Sequence, residues 1–310
     1  MNEIADKAAT QPNESQPIAP APLAPTRPFY WAVRRELWEN RSIYIAPLIA
    51  AGIGFFGFTL STIGLPDRRR AVLLLDAAQQ RARIEEPYDA IAMMMIFTAF
   101  IVGFFYCLDA LYGERRDRSI LFWKSLPVSD FTTVLSKVSI PLVLLPLLTF
   151  AITVVTQLLM MLWSSALLLM NGLPPATSSQ LPLFQSWLVL LYGLVALALW
   201  HAPIYGWLLL VSAWARRATF LWAVLPLLAL GALEKIAFHT SYFGSFLKYR
   251  LISWAAEAFA FDPNGRMPTV DLPQLTPFRF LSSSGLWLGL FFAAVFLAAV
   301  VRLRRYRGPL

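Results

Sequence analysis

The chain has 310 residues, of which 58% are hydrophobic and 14% charged, against roughly 25% charged for an average soluble domain. Between Val138 and Ala215 there are 78 consecutive residues without Lys, Arg, Asp or Glu, a run that excludes a water-soluble domain. A formal charge of +8 would raise nucleic acid as a partner for a soluble protein; in a membrane chain, the excess of Lys and Arg expected on the cytoplasmic side accounts for it.

Residues 1–28 are rich in Pro, Ala and Gln, with acidic residues near the start. They lack a basic region followed by an apolar one, so they read as a disordered tail rather than a cleavable signal peptide. The first membrane span would then serve as the insertion signal. Residues 29–42 follow as FYWAVRRELWENRS. Phe29, Tyr30, Val33, Leu37 and Trp38 fall at helical spacing, with Arg34, Arg35, Glu36 and Glu39 mostly elsewhere. That pattern predicts a connecting helix lying in the membrane surface, with Trp31, Arg34, Arg35, Leu37 and Trp38 as its interface residues.

Residues 43–307 hold six predicted spans, so the expected fold is an all-α integral membrane protein. The first span is Ile43–Leu65 and the second runs from Ala90 to about Leu111, with Asp109 at its end. The third lies within Val138–Met170. Those 33 residues would rise about 50 Å as one helix, and Pro141 and Pro146 near the start predict a bend. The fourth, about Ser186–Ala215, and the fifth, about Ala218–Phe238, are joined at Arg216-Arg217 in a tight hairpin. The sixth is Phe280–Val301. Between the fifth and sixth, residues 240–279 form an outer connection. Its aromatic first part, Tyr242–Phe259, predicts a helix dipping into the outer interface, and its second part carries Pro263, Pro268, Pro273 and Pro277.

With the N-terminus inside, fifteen Lys and Arg fall on the cytoplasmic side and nine on the outer side. This bias predicts both termini in the cytoplasm. The outer loop Pro66–Asp89 weakens the bias with Arg68, Arg69 and Arg70.

The most charged stretch, residues 113–130, links the second and third spans: GERRDRSILFWKSLPVSD. Charges cluster at Glu114, Arg115, Arg116, Asp117 and Arg118, followed by the apolar Ile120, Leu121, Phe122 and Trp123, then Lys124. Pro127 stops a helix, and Ser129 or Asp130 caps the next one. A short surface helix with a charged end and an aromatic face suits docking in a groove of a soluble partner. A merely solvated loop would gain nothing from exposing that apolar patch.

These parts, in this order, resemble the membrane subunit of a bacterial ABC transporter of the ABC-2 (type V exporter) class. The phrase GERRDRSILFWKSLPVSD is similar to the coupling region of that family, and the likeness covers roughly Phe29–Arg307. The resemblance implies a permease subunit in the bacterial cytoplasmic membrane, paired with a second permease as a homodimer or heterodimer. It also implies a separate ABC ATPase subunit that docks on the coupling helix and holds ATP and Mg. None of the five lysines follows a glycine, so this chain lacks the phosphate-binding GxxxxGK[ST] loop and is not expected to be an enzyme itself.

Two other classes stay open. An ion-coupled secondary transporter would call for polar groups near mid-membrane on broken helices in paired repeats. Asp109, His201, Glu234 and Lys235 are the few pathway candidates, although Asp109 lies close enough to Arg115 and Arg116 for a local ion pair. A non-transporting membrane scaffold or immunity protein is the other class. Cys107 stands alone, and neither it nor His201 and His239 shows metal-ligand spacing.

Overall fold

The computed structural model describes residues 28–121, 128–176, 180–260 and 275–306. Among them the chain is helical, apart from turns and one isolated bridge pairing Phe259 with Leu275. Six helices are long and apolar enough to cross a membrane, as expected for a multi-pass membrane protein.

Helix α1 (Pro28–Glu39) runs into α2 (Ser42–Ser61), the first apolar helix. Phe29, Tyr30, Trp31 and Trp38 are exposed, and the Arg34 guanidinium lies over the Trp31 and Trp38 rings. The opposite face of α1 packs on the bundle through Val33 and Leu37. Glu36, assigned from its spacing to the polar side, is fully buried on that face.

After α2 the chain turns at Gly64, whose φ of 79° suits glycine, into α3 (Leu65–Val72). Helix α4 (Ala77–Asp109) then begins thirteen residues before the expected second span. The stretch AAQQRARIEE before Pro87 is rich in helix formers, and the Asp76 carboxylate caps it by accepting from Gln79 N at 2.8 Å. Arg81 and Glu85, one turn apart, pair at 2.7 Å. The outer segment read as a loop is therefore largely helical.

Helices α5 (Tyr112–Arg116) and α6 (Asp130–Ser139) stand at the two ends of the charged stretch 113–130. A π-helical turn at Ile140–Leu144 joins α6 to α7 (Leu145–Met170). Pro141 sits in that turn, so the α-helical ladder is interrupted where the bend was expected. Helix α8 (Leu183–Trp214) is the buried centre of the bundle; its pairing with the last helix is the most extensive in the molecule. Gly206 allows that approach, its missing side chain facing the backbone of Ala293. Helix α9 (Thr219–Phe238) is the least enclosed and buries only Ala223.

The connection between the fifth and sixth long helices forms α10 (Tyr242–Ile252), α11 (Trp254–Ala258) and α12 (Pro277–Ser282). The last long helix, α13, is Ser284–Tyr306. Phe280, expected to open the sixth span, lies instead in α12. Residues 261–274, with three of that connection's four prolines, lie outside the described residues.

Candidate functional site

The end of the bundle that gathers α1, α5, α6 and the last turns of α13 holds a network of buried charge. Glu36 Oε1 accepts from Arg35 Nη2 at 2.6 Å and from Lys137 Nζ at 2.8 Å. Its Oε2 accepts from the Tyr106 hydroxyl at 2.8 Å. Glu114 Oε1 takes a second bond from Arg35 Nη2 at 2.8 Å and lies 3.1 Å from Lys137 Nζ. Glu114 Oε2 accepts from Arg304 Nη1 at 2.6 Å, and Arg304 Nε reaches Asp130 at 3.1 Å. Three cations therefore meet three carboxylates, and a fourth, the exposed Glu39, lies 3.6 Å from Arg35 at the rim.

Balance is what makes such burial tolerable. A charge removed from water is strongly unfavourable unless paired and hydrogen-bonded. Burial pushes the Glu36 carboxyl up, but the Lys137 ammonium and Arg35 guanidinium outweigh it and hold the group below its ordinary value. Four elements distant in sequence are joined through these few atoms.

The start of the charged stretch 113–130 is fastened further to α8. Ser212 Oγ accepts from Leu111 N at 3.0 Å and Tyr112 N at 2.9 Å, satisfying donors at the start of α5. Arg115 Nη1 donates to Ala213 O at 2.8 Å and Ala215 O at 3.1 Å, a cation on the free carbonyls at the end of α8.

These contacts divide the residues expected to face a partner. Glu114, Arg115 and Ile120 are buried and face the interior, because they hold α5 in place. Arg116, Asp117, Arg118 and Leu121 are exposed. Phe122, Trp123 and Lys124 lie outside the described residues. Arg118 has a positive φ of 58°, which turns the chain from α5 into the helical residues 119–121.

The pathway candidates do not converge. Asp109 lies 3.9 Å from Arg116, both half exposed. Glu234 caps α10, accepting from Thr240 Oγ1 and from Tyr242 N and Phe243 N at 2.7–2.8 Å. Lys235 is exposed. His201 is buried in α8, its Nδ1 2.9 Å from Leu197 O and its Nε2 3.3 Å from Leu251 O. A neutral imidazole donates to only one of those carbonyls. No group of three or more His, Cys, Asp or Glu suited to a metal occurs among the described residues.

Sequence reasoning missed Glu36, Lys137 and Arg304 as one site. The available signal was local. Glu36 shares a helical face with Val33, Lys137 immediately precedes the long uncharged run, and Arg304 lies one turn beyond the buried Val300. Comparison with known protein families, with curated proteins and with solved structures returns no match for this chain.

Proposed function

We propose that this chain is the membrane-spanning permease subunit of an ATP-driven exporter of the ABC-2 class, energised by a separate ATPase. The observation that carries the reading is the attachment of the segment between the second and third long helices. Buried ion pairs and helix caps tie it to α1, α6, α8 and α13 at once. A push on that segment is delivered to the bundle rather than absorbed by a loose loop. Packed elements with discrete arrangements respond to such a push by rigid-body motion.

The docking face is carried by Arg116, Asp117, Arg118 and Leu121, with Phe122, Trp123 and Lys124 completing it. ATP and Mg are held by the partner, in keeping with the absent phosphate loop. The exposed apolar faces of α2 and α9 meet lipid and a second permease subunit. The chain resides in the bacterial cytoplasmic membrane with both termini inside, and α1 lies at the interface on its exposed aromatic side.

Co-expression with a P-loop ATPase encoded beside this chain tests the reading. A complex with two membrane subunits is expected, weakened by Leu121→Asp and, in a salt-dependent way, by Arg116→Glu. A chain that purifies without any ATPase, or a complex indifferent to both substitutions, overturns it.

A further inference from the structure

Helix α10 lies against the middle of α8 rather than at its end. Trp200 Nε1 donates to Arg250 O at 3.0 Å. Trp200 precedes Trp214 by fourteen residues, so it sits about 21 Å along α8 from the end that Arg115 caps. Gly289 precedes Arg304 by fifteen residues, about 22 Å along α13 from the charge network. Both distances fall within the depth of a hydrocarbon core of about 30 Å.

At this depth the Arg250 side chain is 6% exposed. Its guanidinium lies over the Trp200 ring at 4.5 Å, and Nη1 donates to Gly285 O at 2.9 Å. Nη2 rests where Gly289 has no side chain; a Cβ there would collide with it. Nε and Nη2 are buried without a hydrogen-bond partner, and no described carboxylate pairs with the group. Arginine stays protonated in proteins, so neutralisation by proton loss is closed to it. The two idle nitrogens form one edge of the guanidinium, whose parallel N–H groups match two oxygens of a phosphate or carboxylate. An ionisable residue at membrane depth is a functional-site hypothesis in its own right.

We propose that Arg250 anchors a binding site for a phosphate group, entered from the membrane between α8, α10 and α13. The cation and its two unbonded nitrogens supply the receptor, beside a backbone at Gly289 that carries no side chain. Ile252 on α10 and Trp287 and Leu288 on α13 are exposed and supply apolar contact for the chains of an amphiphile. In the described conformation α13 covers the edge at Gly289, so binding turns the guanidinium away from that glycine. The site belongs to the chain alone and does not depend on the ATPase.

The test uses the purified chain in phosphatidylcholine nanodiscs, with phosphatidylglycerol or inorganic phosphate as probe. Native mass spectrometry should show retained phosphatidylglycerol, and thermal unfolding should move upward. Arg250→Gln should weaken retention by about tenfold or more, the worth of a lost charge-assisted bond. Arg250→Lys, which keeps the charge but not the fork, should fall between. Asp262→Asn with Asp271→Asn should leave retention unchanged. An Arg250-dependent response to inorganic phosphate alone supports the same site with an aqueous source. Absence of any response in the wild-type chain overturns the proposal. So does retention unchanged in both Arg250 variants, or retention that emerges only when the two aspartates are removed, since Arg250 would then be matched by the chain's own carboxylates.

Discussion

Buried charge is handled in opposite ways in the two halves of the bundle. Near the chain ends, Arg35, Lys137 and Arg304 meet Glu36, Glu114 and Asp130, with the Tyr106 hydroxyl satisfying a remaining oxygen. About 20 Å along the helices, Arg250 is buried with a tryptophan face, one carbonyl and no carboxylate partner among the described residues. A matched network locks elements together, because breaking one partner strands the others. An unmatched cation is a place where something is owed, and it responds to an added anion. The first arrangement suits transmission of force, the second recognition.

That contrast breaks most visibly at Glu114. Glu114→Ala would leave three cations facing Glu36 and the part-exposed Asp130, one buried carboxylate short, and the loss should be about 3 kcal/mol. The folded yield and unfolding temperature in detergent measure it. Arg250→Met should do the reverse of what truncation does in the network. Without an anionic lipid, stability should stay within about 1 kcal/mol of wild type or rise, because an unpaired buried charge is removed along with its hydrogen bond.

Acid provides a smaller and graded probe. Glu36 is held below its ordinary value in the folded chain, so its contribution is complete above the ordinary carboxylate range. It is lost as pH falls through that range to the depressed folded value. Unfolding temperature should drop over that acidic window in the wild type, and Glu36→Gln should flatten the drop. The smallest effect belongs to Arg116→Glu, which removes only a half-exposed pair at 3.9 Å and a surface pair with Asp117. Stability should change by less than about 1 kcal/mol, while partner binding falls and becomes more salt-dependent.

The six long helices were legible because uninterrupted apolar length is a one-dimensional property of the sequence. The irregular turn at Pro141 was legible for the same reason, since proline acts on its own turn. The helical start of α4 was not, because charge was read as loop although Ala, Gln, Arg and Glu are good helix formers. Glu114 and Arg115 looked like surface residues beside Arg116 and Asp117. Only the partners on α6, α8 and α13 decide which of the four turn inward. Arg250 carried no signal beyond an arginine in an aromatic segment; its depth depends on where α10 folds back against Trp200.

The central claim is that the segment around α5 transmits an ATPase stroke through the buried network. ATP hydrolysis and transport by the co-reconstituted complex, compared between wild type and Glu114→Gln, test it most directly. Position 114 faces inward, so the account predicts that the variant still binds the ATPase while hydrolysis continues and transport falls. Transport at the wild-type rate per ATP in a Glu114→Gln complex would contradict the account.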